Sequence, residues 1–258
     1  MNATDLMVKK PTRQETCEQH GDFEAKHIFN SIWTRCPGCV DESAAREQAR
    51  RNEQEQQRAI ELWEKRLDYA GIPKRFRDRS LKSYVAETEG QRRALAFAEA
   101  YAEDFDNALV TGRSAVFIGK LGTGKTHLAI GIGLRIMHRD GRSVVFSTVM
   151  RMIKRIRNTW GGNGAESDAE ASEAFTRPDL LILDEVGAQY GSEAEKLLIF
   201  DILNERYNNR LPTLLLSNLS LDDVRAYLGE RVYDRLREDG GEAVPFDWES
   251  HRGAAPAA

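Results

Sequence analysis

The sequence predicts an α/β fold with a parallel sheet, preceded by a small metal-binding module, and three observations carry that expectation. Residues 115–126 read AVFIGKLGTGKT, a short apolar run, a glycine-rich turn and the start of a helical pattern. Further apolar runs of strand length, at 143–148, 180–183 and 213–216, are separated by stretches of helical periodicity, as in chains built from βα units. All three cysteines and one histidine fall into two close pairs before residue 40.

The first run is a complete phosphate-binding loop, G-x-x-x-x-G-K-T, with Ala115 to Ile118 as a buried strand before it and a helix from Thr126 to His138 after it. Polyphosphate must be wrapped by backbone N–H groups, which bulky side chains would block, and a helix N-terminus adds a favourable dipole. The segment Gly119, Lys120, Leu121, Gly122, Thr123, Gly124, Lys125, Thr126 and His127 is therefore the expected nucleotide-binding stretch. Lys125 would place its charge on the β- and γ-phosphates and Thr126 would offer a hydroxyl to Mg²⁺. Without a guanine-reading N-K-x-D, ATP is the expected nucleotide.

The amino-terminal pairs are CEQH, Cys17 to His20, and CPGC, Cys36 to Cys39. Thiolates and an imidazole supplied as two such knuckles suit tetrahedral Zn²⁺. Cys17, His20, Cys36 and Cys39 are the expected ligands, with His27 as a substitute, and Pro37-Gly38 suits the turn between two of the thiolates. The intervening segment is too small to bury a core, so a metal staple accounts for its folding. Met1 to Thr16 is polar and aperiodic and reads as a tail.

Residues 41–57 are charged or Gln/Ala, a solvated helix or linker, after which Ile60, Trp63, Leu67 and Ala70 recur at helical spacing. Gly71 and Pro73 end that helix, and the basic run from Lys74 to Lys82 reads as solvated surface. Val149 to Trp160 is a basic amphipathic helix, a packed face with Arg151, Lys154, Arg155 and Arg157 available to nucleic-acid phosphates. Gly161 to Arg177 reads as a polar loop.

Leu180 to Leu183 ends in Asp184-Glu185. Beside a phosphate loop, Asp184 is the expected holder of Mg²⁺, and Glu185 is placed to orient or deprotonate an attacking water. Ser192 to Glu195 reads as a capping box, and Asn218, after the strand at 213–216, as a buried polar residue able to reach a γ-phosphate. Leu221 to Glu238 reads as one helix whose Arg231, Arg235 and Arg237 exceed what packing requires, so that one could serve as an arginine finger on a neighbouring subunit.

The motifs GKLGTGKT, LLILDEVG, LLLSN and GERVYDRLR, in that order, with GIP-x-x-F ahead of them and FDWESHR behind, resemble the AAA+ ATPases and most closely the DnaC-type replicative helicase loaders. The resemblance covers Gly71 to Arg252. It implies an α/β fold with a five-stranded parallel sheet flanked by helices and a reduced or absent lid, with ATP bound between the subunits of a homo-oligomer. It also implies loading of a hexameric replicative DNA helicase onto single-stranded DNA. By motif it carries over Lys125, Asp184, Glu185, Asn218 and, as the preferred finger, Arg235, with Arg231 the runner-up. By position in the family, residues 1–41 would form the zinc module that grips the helicase, 42–70 a helical linker and 71–258 the ATPase.

The rival reading is a transposition helper ATPase of the IstB type, acting on duplex DNA with a transposase. A self-translocating helicase lacks a second motor domain here, and a sequence-reading regulator lacks a clear recognition helix. The net charge of −4 argues against a uniformly basic nucleic-acid binder while leaving room for a local basic patch. Lacking an apolar run of membrane-spanning length or a hydrophobic amino-terminal signal, the chain is expected in the cytoplasm.

Overall fold

The computed structural model describes residues 10–160, 166–188 and 193–251. The chain divides into two compact units, Met1–Lys65 and Arg66–Ala258.

In the first unit, β1 (Thr12–Cys17) and β2 (Gly21–Phe29) form an antiparallel hairpin in register from Thr12↔Lys26 to Cys17↔Gly21. The two-residue β3 (Ile32–Trp33) pairs with the far end of β2. The expected tail up to Thr16 is therefore a strand from Thr12 onward. Its sequence TRQETC leaves most of its residues exposed, so polarity hid an edge strand. Ala25 is fully buried between the strands and α1 begins at Pro37, where the missing N–H costs nothing in a first helical turn.

Helix α1 (Pro37–Tyr69) absorbs the polar stretch at 41–57. Of the apolar stripe, Ile60 is exposed whereas Leu67 and Ala70 are buried, so packing is confined to its carboxyl end. There, already within the second unit, the Ala70 carbonyl accepts from the Phe146 N–H at 2.7 Å, and two single 3₁₀ turns, Lys74–Phe76 and Leu81–Ser83, follow.

That unit is built from α2 (Glu89–Glu103), α3 (Phe105–Thr111), β4 (Ala115–Gly119), α4 (Lys125–Arg139), β5 (Val144–Thr148), α5 (Val149–Thr159), α6 (Asp168–Thr176), β6 (Leu180–Asp184), α7 (Glu193–Asn208), β7 (Thr213–Ser217), α8 (Leu221–Leu228), α9 (Glu230–Arg237) and β8 (Glu242–Phe246). The five strands β4 to β8 are all parallel, in the spatial order β5-β6-β7-β4-β8. Their side chains alternate between faces: Leu181, Leu183 and Leu215 pack with α5, α6, α7 and α9, while α4 lies on the face of Ile182. With helices on both faces the strands read as continuous apolar runs.

Two expectations change. The segment read as a loop up to Arg177 holds α6, capped by Ser167 with a reciprocal Glu170 and burying Ala171 and Phe175; residues 161–165 lie outside the described residues. The single helix expected at 221–238 is broken at Gly229 into α8 and α9. Ser192, the expected cap of α7, also lies outside the described residues.

Arg206 on α7 is fully buried and donates to Thr213 Oγ1 and to the carbonyls of Phe175, Pro178 and Pro212, at 2.6 to 2.9 Å. Burial pushes its pKa down to about 9, so it stays charged at neutral pH, solvated by backbone dipoles. It ties together the end of α6, the entry to β6 and the entry to β7. Among the described residues no helix follows β8, and none is long and apolar enough to cross a membrane.

Candidate nucleotide site and metal centre

Because β7 lies between β4 and β6, the carboxyl ends of all three strands meet at one edge of the sheet. The phosphate loop after β4, Asp184 at the end of β6 and Asn218 after β7 all line a cleft of about 250 Å³ there. Thr126, in the first turn of α4, donates its hydroxyl to Asp184 Oδ2 at 2.8 Å, and the Glu185 N–H donates to Asp184 Oδ1 at 2.7 Å. Lys125 is 6% exposed and its Nζ donates to the carbonyls of Gly119 and Lys120 at 2.6 and 2.7 Å. The cleft thus holds a hydroxyl and a carboxylate in mutual contact beside a sheltered ammonium group, a donor set that fits Mg²⁺ and phosphate.

Two devices hold the loop open. Gly124 has φ +98°, and a Cβ there would lie 2.7 Å from the Tyr84 ring. The Thr123 carbonyl accepts from the Trp248 indole at 2.9 Å, and the Gly122 carbonyl accepts from the His251 N–H at 3.1 Å. His127 contacts the Ser80 carbonyl at 3.0 Å through Nε2, and its burial lowers its pKa.

Glu185 is exposed on the cleft with φ +61°, a conformation costly for a residue with a side chain. The next residue is pinned to β7: the Val186 N–H donates to the Leu216 carbonyl at 2.9 Å, and the Ser217 hydroxyl donates to the Val186 carbonyl at 2.6 Å. Ser217, at 1% exposure, is therefore the buried polar residue at the end of β7; Asn218 is exposed and faces the cleft. Arg235 is half-buried on α9, hydrogen-bonded to Asn204 and stacked 4.7 Å above the Tyr207 ring. Neither it nor the exposed Arg231 lines the cleft of its own chain.

Sequence reasoning missed the far wall of the cleft. Arg75, Phe76 and Arg79, from the run read as solvated surface, line it with His127. The signal available was an aromatic residue set among cations just ahead of the domain.

In the amino-terminal unit, the side chains of Cys17, His20, Cys36 and Cys39 offer donor atoms all within 4.8 Å of one another. Cys17 Sγ lies 3.4 Å from Cys39 Sγ, and His20 Nδ1 is 3.7 and 3.5 Å from the two sulfurs. Tetrahedral zinc with bonds of about 2.3 Å to sulfur separates its ligands by about 3.7 Å, so the four groups fit that ion. The Cys17 thiol is pulled down to about 6 by the Gln19 backbone N–H and by His20, and its proximity pushes Cys39 up to about 11, a conflict that a central cation relieves. The outer His20 nitrogen, Nε2, contacts Glu42 at 3.1 Å, which orients the ring. A Cβ on Gly38 would lie 2.5 Å from that imidazole, so the ring's place depends on a bare backbone. His27 instead contacts the Asn30 carbonyl and the Trp33 ring.

A five-stranded parallel sheet in this order, a phosphate loop and an acidic strand end meeting it define a P-loop ATPase of the AAA+ class. Residues 90–252 match the family model described as IstB-like ATP binding protein. The chain belongs to the DnaC-type helicase loaders of that family. It is 35% identical over 195 residues to the replicative helicase loader DnaC of Escherichia coli K12, covering 76% of this chain and 77% of that one. DnaC of Buchnera aphidicola subsp. Acyrthosiphon pisum is also 35% identical, over 187 residues, covering 72% and 74%. The crystal structure of the DnaC helicase loader superposes with a TM-score of 0.61 at 26% identity, covering 67% of this chain and 99% of that one.

Proposed function

We propose that this protein uses ATP to load the replicative DNA helicase onto single-stranded DNA when replication begins. The observation that carries the reading is the 35% identity to the E. coli helicase loader across three quarters of both chains. In this reading Lys125 leaves its loop carbonyls for the β- and γ-phosphates. Thr126 and Asp184 hold Mg²⁺, which supplies charge neutralisation at the phosphates. Glu185 orients the attacking water and accepts its proton, while Asn218 reaches toward the γ-phosphate. Arg235 serves the nucleotide of a neighbouring subunit, so ATP favours a homo-oligomer.

The Cys17, His20, Cys36 and Cys39 site holds one structural zinc, and residues 1–41 form the module that grips the helicase. Residues 42–70 link it to the ATPase at 71–258, and the protein works in the cytoplasm.

The test is capture of the replicative helicase from host extract by the full chain, with ATP and Mg²⁺, compared with a form lacking residues 1–41. Capture by the full chain alone supports both the loader reading and the placement of the contact. No helicase with either form overturns it. Because the matching family model also bears the IstB name, the second reading is a transposition helper; recovery of a transposase, with preference for duplex over single-stranded DNA, would favour it.

A further inference from the structure

The segment just beyond β8, residues 247–251, runs along the phosphate loop without lining the cleft. Its Trp248 indole holds the Thr123 carbonyl at 2.9 Å, and the His251 backbone N–H holds the Gly122 carbonyl at 3.1 Å. A trans peptide unit points its C=O and N–H in opposite directions. With two consecutive carbonyls held by this segment, the N–H groups of Thr123 and Gly124 point the other way. Such successive backbone N–H groups are what a phosphate loop offers to its anion.

The place of His251 is fixed through its own ring. Gln91, 3% exposed near the start of α2, accepts at its Oε1 from the N–H groups of Glu87 and Thr88, both at 2.7 Å. Those two bonds settle which way its amide faces, because only the oxygen can accept them. The amide nitrogen therefore donates, and it lies 2.8 Å from Nε2 of His251. That ring nitrogen must accept, so the imidazole carries its proton on Nδ1.

We propose that His251 is a positioning residue for the nucleotide: by accepting from Gln91 its ring sets its backbone N–H on the Gly122 carbonyl, which keeps the Thr123 and Gly124 N–H groups aimed at the phosphates. The proposal rests on ATP binding by the loop and makes no use of the helicase. The contacts tie three separate parts of the chain together: the cap of α2, the phosphate loop and the segment after β8. Coupling of this kind is reciprocal, so whatever the clamp adds to ATP affinity, bound ATP returns as closure of the clamp. The FDWESHR run, with His251 at the surface, thereby reports whether the loop is occupied.

The test is titration of the full chain with a fluorescent ATP analogue and Mg²⁺. His251→Leu keeps the backbone N–H, removes the acceptor and strands the buried Gln91 donor, and should weaken binding about fivefold. His251→Gln, whose Oε1 restores an acceptor at similar reach, should stay within about twofold of the wild type. Thermal midpoints matching the wild type check the fold of both variants. A long-range ¹H–¹⁵N spectrum should place the His251 ring proton on Nδ1. In amide exchange, ATP should slow the His251 N–H about fivefold in the wild type and less in His251→Leu. Unchanged binding by His251→Leu, equal losses in the Leu and Gln variants, a ring proton on Nε2, or no ATP-dependent slowing overturns the proposal and leaves the nucleotide site standing. A wild type that binds no ATP analogue overturns both.

Discussion

Trp248 donates its indole N–H to the Thr123 carbonyl across 2.9 Å, so the segment after β8 is anchored to the inside of the phosphate loop. Removing that donor should loosen the loop. Trp248→Phe, which keeps the ring against Phe246, should weaken ATP binding about fivefold, the worth of one buried hydrogen bond. Trp248→Ala should weaken it further, measured by titration with a fluorescent ATP analogue.

Glu185→Gln keeps the size of the side chain and removes its basicity. Nucleotide affinity should hold within about twofold while turnover falls about 10²- to 10⁴-fold. Equal losses in binding and turnover would show that the residue shapes the cleft instead of handling the proton.

Arg235→Ala should leave ATP affinity of the isolated chain intact and depress hydrolysis in the assembled complex about 10³-fold or more. Full activity in the assembled complex would remove Arg235 from the finger role. Arg231→Ala, run alongside, tests the exposed alternative on the same helix.

Metal analysis should return one zinc per chain. Cys36→Ser should abolish it, and His27→Ala should keep it, since His27 is turned toward Asn30 and Trp33. Chelation should unfold the hairpin of β1 and β2, read by loss of amide-exchange protection at residues 12–29, and leave the ATPase unit folded.

Arg206→Met removes the donors that satisfy three buried carbonyls and the Thr213 hydroxyl. The expected cost is about 3 kcal/mol or more, read as a lower denaturant midpoint with an unchanged slope. Arg206→Lys should recover only part of it, because an ammonium cannot span the same fork of acceptors.

What the sequence made legible was contiguous. The phosphate loop, Asp184-Glu185 and the paired Cys/His knuckles each announce their chemistry within a few residues, and the structure brings each set together. What it concealed depends on distant approach. Arg75 and Arg79 read as surface because nothing local says that the turn folds over the cleft. Ser217 and Asn218 are adjacent, and only the pinning of Val186 to β7 decides which one is buried. Polarity disguised β1 because its edge faces water, and it disguised α6 because the buried side chains there are few and its first turn carries Asp168 and Glu170.

The contact between His20 and Gly38 carries a consequence for how this chain can change. A methyl group at position 38 would occupy the space of the imidazole, so the choice of ligand at one knuckle is locked to the absence of a side chain at the other. Saturation libraries selected for zinc retention should reject every replacement at 38 while histidine stands at 20. Substitutions at 38 should become permissible only in backgrounds where a shorter ligand such as cysteine replaces it. The dependence runs one way: what position 38 can accept is set by the residue at position 20.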